Sequence, residues 1–392
     1  MTKAVVPRLI AYGDENSDTD MVYAVGIDPV RKRVTVAFRG STTINDFIKD
    51  SKIVLNFQPN PILDMLMADC SEDLCSDDDG TTTKKTKGKQ KTTNYDSIGI
   101  HAGFWEYLMT SRDDDYDKNQ SPSKKDEDDK KTKIKKTKFE EILDHVKSAF
   151  RQLSETGQDS NQYRLYVTGH SLGGSLATLF AFNVAAELAV ASNSTTATEN
   201  GDGSKLSMMI PVPVTCVSIA SPRVGEMAWR AAHTKLEEMG LLRHLRVANA
   251  QDPVTIMPKA SGKYMWATLS PVSYLAFKIQ DRDFSAERET FVHTGVKLRL
   301  ANGKYELTYF GDVLPMIENM KNDDGDDDYE PSGTHVEAFK AEGIPDVKFH
   351  GGVAYTDNLA SVKPNLEKIS LNDVYRNQAA AVLVKKLEEG KL

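Results

Sequence analysis

The stretch from Tyr163 to Ala185 constrains the fold more than any other part of the chain. Tyr163 to Thr168 alternates β-forming residues and predicts a short buried strand, whereas apolar residues recur at helical spacing from Leu172 to Phe180. Between these two patterns stands Gly169-His170-Ser171-Leu172-Gly173, a GxSxG pentapeptide at a strand-to-helix turn. This context predicts a serine whose hydroxyl projects from the end of a central strand.

Such a serine needs a strained backbone, which is possible only if the residues two before and two after it lack a Cβ atom. Gly169 and Gly173 satisfy this requirement. The helix that follows presents its positive dipole end and free amides where a tetrahedral oxyanion would form. Ser171 is therefore the candidate nucleophile, and the amide of Leu172 is a candidate donor of the oxyanion hole.

Length and charge narrow the class of protein. The 392 residues fit one large α/β domain, and a net charge of −8 argues against a nucleic-acid partner. Three cysteines give no disulfide framework. No apolar run approaches the length of a bilayer span, and Met1 to Val6 is too short for a signal-peptide core. We expect a cytoplasmic or peripheral membrane protein.

A second donor of the oxyanion hole is expected after the run from Val34 to Phe38, which predicts another buried strand. The strand ends in Arg39-Gly40-Ser41-Thr42-Thr43, and a small polar loop at that place can supply the donor. Ser41 is the candidate, through its backbone amide and its hydroxyl. On its own, such a loop is more often a turn or a helix N-cap.

The apolar segment from Ile44 to Phe57 follows this loop and has two interpretations. Its residues can belong to the ordinary core. They can also form an amphipathic flap that covers an apolar cleft and opens against lipid. The residue pattern alone favours neither.

Polar inserts interrupt the chain and carry too few apolar side chains to pack. We expect disorder in residues 76–94, 112–138, 192–207 and 320–334. The basic end of the second insert, from Lys130 to Lys138, fits either an anionic membrane surface or, more simply, a solvated loop. Between the inserts, apolar residues from Phe139 to Leu153 predict an amphipathic helix. The alternation of strands and helices predicts a mostly parallel sheet with helices on both faces.

Asp252 stands just past the β-like run LRHLRV, in the chain order Ser, Asp, His that this kind of sheet uses for a catalytic triad. A carboxylate there would accept the Nδ1 hydrogen of a catalytic histidine, fix its tautomer and stabilise the imidazolium. Pro253 favours a turn toward the site. Taken alone, the Asp-Pro pair is more often an ordinary turn.

Three histidines follow Asp252 and compete for the role of general base. His293 lies in FVHTGVKLRL, which continues through Asn302-Gly303 into YELTYF and predicts a β-hairpin. His335 lies beside an acidic run. His350 lies in VKFHGGVAYTDNL, where two glycines free the backbone and an apolar run supports it, so its placement favours it over the other two.

The chain resembles the class 3 lipases, also called the fungal lipase-like family. The resemblance rests, in chain order, on AFRGSTTINDFIKD, HAGFWEY, GHSLGG, SIASPRVG, QDPVTIMP and FVHTG. It implies a single α/β-hydrolase domain over residues 1–392, with a mostly parallel central sheet. It also implies that Ser171 is the nucleophile, that Asp252 is the acid, and that a lid follows Ser41.

The resemblance also bears on the histidine. In the family, the FxHxG histidine lies upstream of the catalytic one, and four residues commonly separate the catalytic histidine from a tyrosine, as between His350 and Tyr355. This raises His350 above His293. Two features depart from the family: Phe47 replaces a usual tryptophan, and the short segment before AFRG leaves open a missing N-terminal helix or signal sequence.

The implied activity is hydrolysis of carboxylic esters in acylglycerol-type lipids through an acyl-enzyme, with no metal or organic cofactor. The expected partners are a lipid ester substrate and a peripheral lipid or membrane interface. A phospholipase, a galactolipase or another esterase of the same fold remains an alternative, since one triad serves all of them. A lipase-like scaffold retained as a non-catalytic binding module is the alternative from another class.

Overall fold

The computed structural model describes ten segments of the chain, and all structural statements refer to them. They are residues 6–13, 21–40, 54–72, 95–109, 136–193, 210–261, 289–301, 303–309, 312–313 and 346–376. The strands are β1 (Arg8–Gly13), β2 (Tyr23–Asp28), β3 (Arg33–Phe38), β4 (Leu55–Pro59), β5 (Ser97–His101), β6 (Arg164–His170), β7 (Val214–Ile219), β8 (Leu242–Asn249), β9 (Val296–Ala301), β10 (Lys304–Tyr309) and β11 (Asp312–Val313). The helices are α1 (Leu63–Glu72), α2 (Ala102–Met109), α3 (Lys138–Glu155), α4 (Leu172–Asn193), α5 (Met227–Glu238) and α6 (Gly352–Leu366).

Nine of the strands in the described segments form one sheet, in the order β1-β2-β3-β6-β7-β8-β9-β10-β11. Its centre is parallel, because β3, β6, β7, β8 and β9 pair in parallel, while the strands at both edges pair antiparallel. Strands β4 and β5 form a separate antiparallel pair. The predicted mostly parallel sheet is confirmed.

Helices pack on both faces of this sheet. On one face of β8, the ring of His244 lies 5.2 Å from that of His233 in α5. Val247 belongs to the other face, because side chains alternate along a strand, and it packs in a cluster with Tyr355 and Val362 of α6. The sheet is therefore buried between two layers of helices, as predicted.

Helix α4 is the central helix of the core. It has 22 residues and is long and apolar enough to cross a membrane by length and composition, with 83% of its most apolar window buried inside the protein. Phe180, for example, packs against Phe38 and Phe139. The expectation that no apolar run approaches the length of a span is therefore wrong: a helix enclosed by the core is apolar on all sides.

Helix α3 confirms the amphipathic helix predicted from Phe139. A capping box begins it: the Thr137 hydroxyl accepts the amide of Glu140 at 3.1 Å, and the Glu140 carboxylate accepts the amide of Thr137 at 2.7 Å. The predicted insert 112–138 therefore extends too far, since Lys138 is helical. The insert 192–207 likewise begins too early, because α4 continues through Asn193. The inserts 76–94 and 320–334 lie outside the described residues.

The predicted flap is described only at its end. Residues 44–53 lie outside the described residues, and so does Ser41. Leu55 to Phe57 belong to β4, which pairs with β5. Val54 and Phe57 are 53% and 39% exposed. A mobile flap therefore stays a prediction.

Candidate active site

Ser171 occupies the sharp turn between the central strand β6 and helix α4. Strand β6 ends at His170 and α4 begins at Leu172, so one residue makes the whole turn. Ser171 has a φ of 57°, in the left-handed region that residues with a Cβ atom rarely adopt. Its amide donates to the carbonyl of Ile219 at the end of β7, at 2.9 Å, which fixes the turn to the sheet.

The two glycines of the pentapeptide are required by close backbone approach. A Cβ atom on Gly169 would lie 2.2 Å from the carbonyl oxygen of Gly173, and one on Gly173 would lie 2.4 Å from that of Phe38. Gly40, just before the Ser41 loop, has the same restriction, because its Cβ would lie 2.6 Å from the carbonyl oxygen of His170. The strand, the turn and the start of that loop are thus in backbone contact.

We expect Gly169→Ala to destabilise the fold by about 3 kcal/mol or more, since the added methyl group meets backbone atoms that cannot rotate away. Urea unfolding of the purified variant measures the change. Gly352→Ala is the matched control, because no atom lies within 4 Å of a Cβ added at this position. The unfolding free energy of this variant should equal that of the wild type or be slightly higher. Equal stability of wild type and Gly169→Ala would contradict the packing of the turn.

The structure brings Ser171, Asp252 and His350 together from distant parts of the chain. His350 Nε2 lies 2.9 Å from Ser171 Oγ, and His350 Nδ1 lies 2.9 Å from Asp252 Oδ2. The three residues are 6%, 2% and 4% exposed, respectively. With a neutral ring, the serine hydroxyl can donate to Nε2 while the Nδ1 hydrogen is donated to the carboxylate. The arrangement can remove the serine proton and stabilise the imidazolium that results.

Asp252 is held in a loop that follows β8. Its Oδ1 accepts the amide of Val254 at 2.9 Å, and its Oδ2 accepts the hydroxyl of Tyr355 at 2.8 Å as well as the His350 ring. A buried carboxylate without such donors would be costly. Burial, and then the negative charge of Asp252, raises the pKa of Tyr355 far above its ordinary value, so the phenol stays protonated and donating.

His350 is held through its backbone as well as its ring. It ends a 3-10 turn (Val347–His350) just before α6, and the side-chain amide of Asn249 donates through Nδ2 to the carbonyl of Phe349 at 2.8 Å. The ring Nε2 of His170 donates to the carbonyl of His350 at 2.9 Å. Burial, and then repulsion from His350, lowers the pKa of His170, so this donor is neutral at pH 7.

These supporting residues were not found from the sequence. No local sequence pattern marks Asn249 as a supporting residue, because the carbonyl that its side chain contacts, that of Phe349, lies 100 residues away in the chain. His170 was visible, since it directly precedes the nucleophile in the pentapeptide, but nothing in the sequence shows that its ring reaches the His350 backbone. Tyr355 was noted only for its distance from His350, not as a donor to Asp252.

One predicted oxyanion donor is described and the other is not. The amide of Leu172 is the first of α4 and donates no hydrogen bond to another described residue, as is usual for a helix N-terminus. Ser41 lies outside the described residues. Its neighbour Gly40 is close to the nucleophile, because a Cβ atom there would lie 3.3 Å from that of Ser171. The Ser41 role stays a prediction.

The other candidate histidines are not part of this arrangement in the described segments. His293 lies before β9 rather than inside a strand, although β9 and β10 do form the predicted hairpin. Its Nε2 donates to the carbonyl of Thr255 at 2.5 Å. Burial, and then the charges of Arg246 and Arg223, lowers its pKa well below the ordinary value. His335 lies outside the described residues.

Tyr355→Phe is expected to cost about 2–3 kcal/mol of stability, because Asp252 loses a charge-assisted hydrogen bond and the backbone amide of Asn249 loses its acceptor. We also expect kcat for the ester hydrolysis that the sequence motifs imply to fall about tenfold with KM little changed, since the hydroxyl bonds to the carboxylate of Asp252, which itself acts through His350. Thermal unfolding and initial rates measure both effects. Tyr166→Phe is the control, because among the described residues its hydroxyl makes no hydrogen bond; equal losses in both variants would contradict the role.

Metal ions have no evident place in the described segments. Within them, no group of three or more His, Cys, Asp or Glu side chains could hold a metal ion. The expectation of no cofactor stays a prediction.

A central parallel sheet, a serine on a strained turn after its middle strand, and an Asp and a His delivered by later loops define an α/β-hydrolase. The model of the lipase (class 3) family matches residues 35–262, more than half of the chain, so the protein belongs to the class 3 lipase family. The resemblance inferred from the sequence motifs is thereby confirmed.

Plant proteins are among the similar sequences. The chain is 39% identical over 104 residues to phospholipase A1-II 3 of Oryza sativa subsp. japonica, which covers 26% of this chain and 21% of that protein. It is 29% identical over 153 residues to the chloroplastic galactolipase DONGLE of Arabidopsis thaliana, covering 38% and 27%, respectively. The chain thus matches about a fifth to a quarter of the length of these relatives.

Fungal lipases are among the similar structures. The native Rhizomucor miehei lipase propeptide complex matches with a TM-score of 0.37 and 16% identity, covering 78% of this chain and 61% of that one.

Proposed function

We propose that the protein is a serine esterase that hydrolyses acyl esters of glycerolipids, with Ser171, His350 and Asp252 as its catalytic triad. The observation that carries the proposal is the continuous chain of two 2.9 Å hydrogen bonds from the serine hydroxyl through the imidazole to a buried carboxylate. Family membership supports the same reaction class.

In the first half of the reaction, His350 Nε2 takes the proton of Ser171 as its Oγ attacks the ester carbonyl carbon. Asp252 accepts the Nδ1 hydrogen and stabilises the imidazolium. The resulting oxyanion is held by the amide of Leu172, at the positive end of α4, and by the loop at Ser41.

The tetrahedral intermediate then collapses, and His350 donates its proton to the departing alcohol. In the second half, His350 takes a proton from water, which attacks the acyl group on Ser171. Collapse of the second intermediate releases the carboxylic acid and returns the proton to the serine.

A lipid surface is the proposed partner, because exposed apolar side chains lie around the triad loops. Val347 and Val353, three residues before and after His350, are 52% and 77% exposed. Ile256, four residues after Asp252, is 43% exposed. The two loops are joined by the amide of Asp346, which donates to the carbonyl of Gln251 at 3.0 Å. Such an apolar rim favours peripheral contact with lipid.

The head group of the lipid substrate has to be identified by experiment. The proposed substrate is an acylglycerol, and the names of the plant relatives make phospholipids and galactolipids the main alternatives. Rates on emulsified triolein, monoolein, phosphatidylcholine and galactolipid, measured side by side with p-nitrophenyl butyrate and palmitate, rank these substrates. Activity on none of them, or equal activity in Ser171→Ala, would overturn the proposal in favour of a non-catalytic binding module.

A further inference from the structure

Cationic side chains gather beneath the loop that carries Asp252. Arg246 of β8 and Lys297 of β9 are paired in register on adjacent parallel strands, so they lie side by side. Arg246 is only 7% exposed. Arg223, in the segment after β7, extends its guanidinium to the carbonyl of Pro258 at 3.2 Å, and its own amide donates to the carbonyl of Met257.

Among the residues that the structure describes, the cations of this cluster have no ion-pair partner. Among the described residues, the carboxylate that acts on Lys297 is that of Glu306 on β10, which lies 3.9 Å from the guanidinium of Arg299. Within the described segments, neither Arg246 nor Lys297 makes a hydrogen bond or an ion pair, and the Nε of Arg246 is buried without a partner. Arg223 likewise has no carboxylate partner there.

Because Arg223, Arg246 and Lys297 are close together and shielded from water, their positive charges repel one another. Burial, and then the charge of Arg223, lowers the pKa of Arg246 to about 9. Burial, and then the charge of Arg246, lowers the pKa of Lys297 to about 8. Buried charges are normally paired, because an uncompensated one costs several kcal/mol. An anion of suitable shape would supply the missing partner.

We propose that Arg223, Arg246 and Lys297 form a binding site for a phosphoryl anion. Guanidinium groups bind phosphate oxygens in pairs, and an ammonium adds a point charge, so two arginines and one lysine suit a tetrahedral anion with several acceptor oxygens. The site is distinct from the proposed triad but close to it. His293 lies near enough to Arg246 and Arg223 for their charges to lower its pKa. Its ring donates to the carbonyl of Thr255, and the Thr255 hydroxyl donates to the carbonyl of Asp252.

The phosphoryl group has two possible sources. It can belong to the head group of a phospholipid bound at the triad, and that source rests on the proposed function. It can also be free phosphate, which would bind whether or not the protein is an esterase. Either source places the anion near the carboxyl ends of β7 and β8, since Arg223 follows β7 and Arg246 lies three residues before the end of β8, and beside the start of β9, where Lys297 lies.

Calorimetric titration with sodium phosphate, at an ionic strength held constant with sodium chloride, tests the site directly. We expect saturable binding to the wild type and to Ser171→Ala, and binding at least tenfold weaker in Arg246→Met. Lys304→Met is the matched control, because this lysine is exposed on β10 and should leave the affinity unchanged. No saturable binding by the wild type, or the same affinity in all variants, would overturn the site.

Thermal unfolding keeps the test decisive if a variant binds poorly because it folds poorly. In chloride, Arg246→Met and Lys297→Met should melt at or above the wild-type temperature, because each removes a repelled cation. In phosphate, the wild type and Lys304→Met should gain stability, and the two cluster variants should not. Equal gains in all four proteins would reflect exclusion of phosphate from the protein surface and would overturn the proposal.

Kinetics separate the two sources. If the head group is the ligand, Arg246→Met should raise the KM for dioctanoyl phosphatidylcholine relative to that for dioctanoylglycerol by about tenfold, and Lys304→Met should not change this ratio. An unchanged ratio together with lost phosphate binding assigns the site to free phosphate. If the wild type hydrolyses neither lipid, the proposed function fails, while the calorimetric result still decides the site.

Discussion

Ser171→Ala is expected to lower kcat for ester hydrolysis by about 10⁶-fold, the loss found when the nucleophile of a comparable triad is removed. The reason is geometric: among the described residues, this is the hydroxyl within hydrogen-bonding distance of His350 Nε2. Without it, His350 has no nucleophile to activate, and what activity remains comes from the oxyanion hole and from binding. Initial rates on p-nitrophenyl butyrate at saturating substrate measure the drop.

Ser175→Ala is the matched control, because it makes the same change one turn further along α4. The Ser175 hydroxyl lies 3.1 Å from that of Ser221 and makes no contact with His350. Its loss should cost about 1 kcal/mol of stability and leave kcat within a few-fold of wild type. Circular dichroism of both variants establishes that they are folded. Activity of Ser171→Ala close to that of Ser175→Ala would exclude Ser171 as the nucleophile.

The central sheet and the turn at Ser171 could be predicted from the sequence because their causes are local. Gly169 is needed by its contact with Gly173, four residues on, and the β and helical periodicities lie directly beside this pair. The requirement for Gly173 is the exception, because its close contact is with Phe38 of β3. Family motifs then extended the prediction across the parallel sheet. The error about α4 has a physical cause: burial on all sides and insertion in a membrane select the same apolar composition.

The surroundings of the triad could not be predicted, because they depend on contacts between distant segments. The hydroxyl of Tyr355 bridges Asp252 and the amide of Asn249, which lies 106 residues away in the chain. The cationic cluster of Arg223, Arg246 and Lys297 also depends on contacts between distant segments. Arg246 and Lys297 look like ordinary charged strand residues, and only the strand register places them side by side.

His350→Ala is expected to reduce kcat by about 10⁶-fold as well, because the members of a triad act as a unit and removing the base costs about as much as removing the nucleophile. The double variant Ser171→Ala/His350→Ala should therefore be no slower than either single variant. A structural role would not give this result, since independent losses would multiply.

His335→Ala is the informative control, because the sequence alone left this histidine open as the base. If His350 is the base, His335→Ala should keep kcat within a few-fold of wild type, and added imidazole should partly restore His350→Ala alone by occupying the space between Ser171 and Asp252. The reverse pattern, with His335→Ala inactive and His350→Ala active, would mean that the two 2.9 Å hydrogen bonds of His350 are not those of the working enzyme. The family order of Ser, Asp and His along the chain would still hold, because both histidines follow Asp252. The measured activities of the two variants, not the order of residues along the chain, therefore have to show which histidine is the base.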